Sequence, residues 1–385
     1  MRIIVVGASA AGVSAAEALR REGFRGRLTL VGAERHLPYD RPPLSKQFLS
    51  GAWPAERTAL RPAGRYQELD AELLLGRRAV GLDPVARRVR LDSGERLDYD
   101  QALLATGVLP RPLPSVPHPL AGVHVLRTLD DAVALRATLA GRPRLAVVGG
   151  GFTGTEVAAT ARGLGLDVTL VCPEPAPLAA RLGPEAGALV GRLHVERGVA
   201  LRTAVAVGGL TSAQGRVTGI RLDDGSVVAA EAVVVAVGST PATSWLADSG
   251  LELADGIVCD PTLRAAPGVF AAGDVARVRH PVHGPLVRQE HRTNAALQGV
   301  AAARNLLGAG QAFHAVPYVW TDQYDVRIQL HGTCPPDAEL EVLEGRPGDG
   351  AFVARCTRGG VTTGLLGWNS QRQLAGYRRE LVGIA

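Results

Sequence analysis

The sequence predicts an α/β fold made of two Rossmann-like dinucleotide-binding domains plus a small α+β C-terminal domain. Three observations carry that expectation. The order strand, helix, strand, hairpin, strand occurs twice. Each copy has a glycine-rich turn at its first strand–helix junction, and each closes on an Ala-x-Gly, Ala105-Thr106-Gly107 and Ala236-Val237-Gly238. The boundaries this implies are 1–110 with 239–310 for a discontinuous first domain, 111–238 for the second and 311–385 for the third.

In order, residues 3–6 are an apolar run of buried-strand length, 11–22 read as a helix with small residues on its near face, and 27–31 as a second strand. A Pro/Arg-rich stretch covers 36–65. Residues 88–99 form a hairpin turning at Asp92-Ser93-Gly94, and 102–105 a further strand. The pattern restarts with a strand at 144–148, a helix at 153–164 and a strand at 167–171. A helical stretch at 185–196, a hairpin at 217–228 turning at Asp224-Gly225 and a strand at 232–237 complete it. A helix runs over 290–307. From 316 the chain reads as strands with a short last helix, and Trp368 and 374–381 suggest a lid or interface.

Composition narrows the class. The chain has 385 residues, 46% hydrophobic and 21% charged, a globular balance. No apolar run approaches the roughly 18 residues of a membrane span, and the opening is too short for a secretory signal. Cys172, Cys259, Cys334 and Cys356 are widely spaced, which argues against a disulfide framework, a zinc site or a dithiol centre and for a reduced cytoplasmic protein. A net charge of +5 is too mild for a nucleic-acid binder and leaves room for one face that docks an acidic partner. Of the 42 basic residues 41 are Arg, and Lys46 is the only lysine.

Gly7-Ala8-Ser9-Ala10-Ala11-Gly12 follows the first strand and opens the first helix. Such a turn lets a pyrophosphate approach the helix N-terminus. Glu34 ends the second strand 22 residues after Gly12, where an acid can accept from ribose hydroxyls. Small residues at a strand–helix junction are also what plain packing selects. The complete second fingerprint, Gly149-Gly150-Gly151-Phe152-Thr153-Gly154, makes two bound dinucleotides the natural reading. Gly273-Asp274 then delivers an aspartate at a strand end, which suits the ribityl hydroxyls of a flavin.

Further blocks occur in order: Leu37-Pro38-Tyr39-Asp40-Arg41-Pro42-Pro43-Leu44-Ser45-Lys46, Leu126-Arg127-Thr128, Glu290 with Asn294-Ala295 and Gln298-Gly299, and Trp320-Thr321-Asp322-Gln323-Tyr324. With the fingerprints, they make the whole chain resemble the FAD-dependent, NAD(P)H-linked ferredoxin reductases of the glutathione-reductase superfamily. The resemblance is greatest to the branch of putidaredoxin, rubredoxin and aromatic-dioxygenase ferredoxin reductases. It implies FAD on Gly7, Ser9, Ala11, Gly12, Glu34, Arg35, Arg41, Val80, Ala105, Thr106, Gly107, Arg127, Gly273 and Asp274. Of these, Glu34 would hold the adenosine ribose, Arg41 and Arg127 would lie near the phosphates, and Asp274 would bind the ribityl chain. It implies NADH, with NADPH as second candidate, on Gly149, Gly151, Phe152, Thr153, Gly154, Glu174 and Gly238. Lys46, paired with Glu156, would sit beside the hydride-accepting edge of the flavin, and Trp320 against its ring.

A desolvated Lys–Glu pair can fix a flexible amine where negative charge develops, a task a planar guanidinium does not share. The single lysine of an arginine-rich chain standing at this position favours that role. Two positions depart from the resemblance. Cys172 stands where an acid is common, with Glu174 two residues on and no Arg from 172 to 178, which favours NADH. Arg292 stands where an aromatic is common. Residues 277–304 hold five arginines, His280, His283, His291 and one acid, Glu290. They are a candidate landing site for an acidic ferredoxin-type partner, or simply a solvated face.

The implied function is electron transfer from NADH through FAD to an iron–sulfur redoxin serving a monooxygenase or dioxygenase, by a monomer or homodimer. A non-catalytic NADH-sensing flavoprotein is the alternative. A disulfide reductase or NADH oxidase is opposed by the lack of any cysteine before Cys172.

Overall fold

The protein was analysed as a computed structural model, which describes residues 1–113, 120–280 and 284–381. The first unit contains β1 (Arg2–Val6), α1 (Ala10–Arg21), β2 (Arg27–Gly32), β3 (Ala71–Leu75) and β4 (Gln101–Leu104). β1 runs parallel to β2 and to β4, with Val5 opposite Leu30 on one side and Leu103 on the other. Strands covered on both faces need apolar residues at every position rather than at alternate ones, and Ile3 to Val6 are all buried.

The second unit repeats this with β5 (Leu145–Val148), α2 (Phe152–Gly163), β6 (Val168–Val171), α3 (Pro184–Glu196), β7 (Ala200–Arg202) and β8 (Ala232–Val235). β5 again sits between parallel neighbours, β6 and β8. The chain then returns to the first sheet with β9 (Arg264–Ala266) and β10 (Val269–Ala271). β10 lies parallel to β4, giving the order β9-β10-β4-β1-β2-β3. α4 (Arg292–Leu306) follows. Its Gly299 meets α1 so closely that a Cβ there would overlap the carbonyl oxygen of Ala11. Small residues thus bring the start of α4 beside the first fingerprint.

Both hairpins read from the sequence are present, and each carries a third strand that was not expected. These are Ala79–Asp83 beside the first and Val207–Ala213 beside the second. The latter reads Val-Gly-Gly-Leu-Thr-Ser-Ala, in which paired glycines dilute the strand signal.

The C-terminal part is an antiparallel sheet of β11 (Tyr318–Gln323), β12 (Val326–Gly332), β13 (Glu339–Arg346), β14 (Ala351–Arg358) and β15 (Val361–Trp368), followed by α5 (Gln371–Tyr377). The strand order is β11-β12-β15-β14-β13. One face of this sheet shares a core with α3: Ala186, Val190 and Leu193 pack with Ile328, Phe352 and Trp368. Trp368 stacks on Phe352 with ring centroids 5.9 Å apart, so it belongs to that core and not to a lid. Leu374 and Leu381 cover the other face, with Val353 and Leu365.

The expectation that the cysteines stay unpaired is corrected. Cys334 and Cys356, both buried, form a disulfide with Cα atoms 5.5 Å apart. Gly364 on β15 lies opposite both Cys356 and Gly332. Its missing side chain lets the turn after β12 fold across the strand, because a Cβ there would overlap the carbonyl oxygen of Thr333. A separation of 22 residues conceals that approach.

Gly299→Ala forces backbone apart and is expected to lower stability by about 1–3 kcal/mol in urea or thermal unfolding. Gly163→Ala, whose Cβ would meet nothing within 4 Å, is expected to be neutral or stabilising by up to roughly 1 kcal/mol.

Candidate functional site

The two fingerprint loops repeat each other at the level of single atoms. Gly7 (φ 122°) and Gly149 (φ 114°) sit where a Cβ would overlap the carbonyl oxygens of Ala105 and Ala236, the residues that begin the two Ala-x-Gly closures. A Cβ at Gly12 would overlap Gly7 O, and one at Gly154 would overlap Gly149 O. The first and last glycines are therefore demanded by backbone. The middle position is different: Ser9 occupies it in the first loop, and at Gly151 a Cβ would meet nothing within 4 Å. Ser9 and Gly151 are the N-caps of α1 and α2, and neither makes a side-chain cap bond. Both helix N-termini thus keep backbone N–H groups free for an anion.

Two connected cavities open from the first loop. The outer one, about 470 Å³, is lined by Gly7, Ser9, Glu34, Arg41, Val80, Ala105, Thr106 and Arg127, with Trp245 among its other walls. The inner one, about 250 Å³, is lined by Ser9, Ala11, Arg41, Lys46, Ala105, Thr106, Gly107, Arg127, Phe152, Thr153, Glu156, Gly273, Asp274 and Trp320. Ser9, Arg41, Ala105, Thr106 and Arg127 belong to both and mark the neck. Gly12 lies beneath the loop. Arg35, Gly149, Gly151, Gly154, Glu174 and Gly238 border neither cavity. Arg35 instead lies over Gly76, where a Cβ would stand 3.0 Å from its Cγ.

At the outer end both oxygens of Glu34 are engaged. Arg41 Nη2 donates to Oε1 at 2.8 Å, and the Tyr39 hydroxyl donates to Oε2. Burial pushes the Tyr39 hydroxyl well above its usual range and keeps it a donor. Arg41 also donates to the carbonyl of Arg127. Arg127 in turn reaches Asp274 Oδ2 at 3.3 Å. Burial raises the Asp274 carboxyl, against the pull of Arg127, and burial lowers the Arg127 guanidinium. Neither charge is fully satisfied by the other. Among the described residues Arg127 Nε has no hydrogen-bond partner, and neither has His291 Nδ1 on the inner wall. An unspent guanidinium donor beside the free backbone N–H groups of the first loop fits a bound pyrophosphate.

At the inner end Lys46 Nζ donates to Glu156 Oε2 at 2.7 Å, and both side chains are about nine-tenths buried. The same oxygen accepts from the Ser45 hydroxyl, and Oε1 accepts from Thr321 Oγ1 at 2.8 Å. Three donors thus converge on one buried carboxylate. Trp320 lines the cavity and stacks on Tyr318 at 5.7 Å, which stacks on His331 at 4.5 Å.

Tyr39, Ser45 and Thr321 were not assigned roles from the sequence, although the two blocks that carry the family resemblance contain them. Trp245 had no signal of its own. The arginines of 277–304 do not form one free cationic face. Arg277 donates to Ala254 O at 2.6 Å, Arg288 pairs with Glu290 at 2.6 Å, and Arg304 pairs with Glu22 at 2.9 Å. Arg292 pairs with Asp40 across the inner cavity, and His283 lies outside the described residues.

Comparison with known proteins agrees with this geometry. The family described as pyridine nucleotide-disulphide oxidoreductase matches residues 1–299, and the one described as reductase C-terminal matches 318–382. Rhodocoxin reductase of Rhodococcus erythropolis is 37% identical over 99% of this chain and 90% of its own. The ferredoxin reductase for the CYP199A2 system from Rhodopseudomonas palustris superposes with a TM-score of 0.94 at 32% identity, covering 98% of this chain and 93% of that one. The reductase in the covalent putidaredoxin reductase–putidaredoxin complex also gives 0.94 at 32% identity, covering 98% and 92%.

Proposed function

The chain belongs to the pyridine nucleotide-disulphide oxidoreductase family, and from that premise we propose that it is an NADH-dependent ferredoxin reductase. It carries FAD and passes electrons to an iron–sulfur redoxin that serves a monooxygenase or dioxygenase. The observation that carries the reading is the Lys46–Glu156 pair at the inner end of the double cavity, between the two fingerprints. No cysteine lines either cavity among the described residues, which speaks against a thiol relay.

FAD, when bound, supplies the conversion of a hydride from NADH into electrons released one at a time. The chain's own residues hold and orient. Arg41 and Arg127 would face the FAD phosphates at the neck, Asp274 its ribityl hydroxyls, and Glu34 its adenosine ribose. Lys46 places a fixed positive charge where negative charge develops, Glu156 stops it from straying, and Phe152 and Trp320 line the inner cavity beside them. Gly151 leaves open the space a second dinucleotide needs against α2. Glu174 near the end of β6, with no basic residue from 172 to 178, favours NADH over NADPH.

For the exit we favour the Trp320–Tyr318–His331 stack over the 277–304 segment. It leads from the inner cavity to a groove rimmed by Leu297, Arg378 and Arg379, a cationic edge suited to an acidic redoxin. No helix among the described residues is long and apolar enough to cross a membrane. A cytoplasmic location is part of the same proposal, since NADH is a cytoplasmic reactant.

Repeated turnover with NADH and an added ferredoxin tests the function; a flavoprotein that is reduced once and then stalls would overturn it. Lys46→Met is expected to keep FAD yet slow flavin reduction at saturating NADH by about 100-fold, as measured by stopped flow. Gly151→Val is expected to leave the melting temperature and the flavin content unchanged while raising the NADH dissociation constant by about 10-fold or more. Loss of flavin in that variant would mean that the two loops are assigned the wrong way round.

A further inference from the structure

Behind the Lys46–Glu156 pair runs a file of buried polar groups that the reaction as described does not use. Thr321 Oγ1, the donor to Glu156 Oε1, accepts from Gln323 Nε2 at 3.2 Å. Gln323 Nε2 also donates to Thr155 Oγ1 at 3.0 Å. Gln323 Oε1 lies 3.0 Å from His194 Nε2, and His194 Nδ1 lies 3.0 Å from the Tyr324 hydroxyl. Thr155, Thr321 and His194 are wholly buried, and Gln323 nearly so.

The direction of every bond is forced. The amide nitrogen of Gln323 faces two hydroxyls and can only donate, so its oxygen is the acceptor turned toward His194. His194 Nε2 must then carry the proton, which leaves Nδ1 to accept from Tyr324. Only the neutral imidazole makes both bonds, and burial holds His194 in that form by pushing its pKa down to about 4. Burial likewise pushes the Tyr324 hydroxyl up to about 12, so it keeps the proton it donates. From Tyr324 to Thr321 each donor therefore points one way, toward the carboxylate of Glu156. The file joins α3, α2 and β11, one element from the C-terminal sheet and two from the second unit.

We propose that Gln323 and His194 are positioning residues that set the Glu156 carboxylate, and through it the Lys46 ammonium, for hydride transfer. This rests on the reading of the inner cavity as a hydride-transfer site. It requires no proton to travel along the file; the groups act by holding one geometry in a packed interior where an unpaired amide or imidazole would be costly.

The test uses the FAD-loaded full chain and two readouts. At saturating NADH, Gln323→Leu is expected to slow flavin reduction by about fivefold or more, the rate equivalent of one hydrogen bond, with the NADH dissociation constant within about twofold of the parent. His194→Leu is expected to be slow as well. In His194→Gln, whose amide can donate where Nε2 did, the rate returns to within about twofold of the parent. The second readout is acylation by an amine-reactive reagent, followed by mass spectrometry. Lys46 is the only lysine, so besides the amino terminus the label reports on one side chain. Gln323→Leu should label Lys46 severalfold faster than the parent does, as should Glu156→Gln.

Parent-like reduction and labelling in Gln323→Leu would overturn the proposal, and so would a His194→Gln variant as slow as His194→Leu. If Gln323→Leu does not fold, the His194 pair decides alone. A parent holoprotein that NADH cannot reduce would instead overturn the hydride-transfer reading, and the labelling comparison would still judge the file.

Discussion

One buried ion pair holds the three parts of this molecule in register. Lys46 ends the proline-rich loop of the first unit, Glu156 sits in the first turns of α2 in the second, and Thr321 reaches the same carboxylate from the C-terminal sheet. Taking two charges out of water costs several kcal/mol per ion unless the geometry compensates. Here Ser45 and Thr321 offer the further donors, and Thr160 Oγ1 ties the carbonyl of Ser45 back to α2 at 2.7 Å. The contact that fixes the Lys46 amine also joins the first unit to the second. A shift of either unit would leave a charge buried without its partner.

The outer half of the site follows a different rule. Glu34, Arg41, Arg127 and Asp274 run from the outer cavity through the neck: Arg41 holds the Glu34 carboxylate and reaches the Arg127 carbonyl, and Arg127 reaches Asp274. Two arginines thus stand together at the neck, and Arg127 Nε has no hydrogen-bond partner among the described residues. Such a surface is preorganised for an anionic ligand with hydroxyl arms, because its charges are already placed and already short of partners. The inner half adds the rings of Trp320 and Phe152 to its lining and sets Lys46, its only lysine, against Glu156.

Much of the fold was legible because its signals are local. Unbroken apolar runs at β1 and β5, punctuated by glycine, can hardly be anything but strands buried on both faces before a tight turn. The unexpected strands were hidden for an equally physical reason: Val207–Ala213 owes its state to pairing with a hairpin, not to its own residues. Among site residues, Lys46 announced itself by its rarity, whereas Glu156 came only with the family resemblance. The partners that return from afar gave no such signal. Counting arginines in 277–304 could not show that their acids stand at Asp40, Glu22 and Asp255. The disulfide belongs to the same class, since it depends on a crossing over Gly364 that only the sheet creates.

The unequal freedom of the three fingerprint positions bears on how a duplicated chain can change. At the outer two positions any side chain strikes main chain, so mutation there is punished whatever the ligand. The central position meets no protein atom at Gly151, and the halves differ there as they do at the three other inner positions, Ser9 in one loop and Gly151 in the other. Two such loops could thus diverge toward separate nucleotides between their fixed ends, with the architecture held constant by the outer glycines.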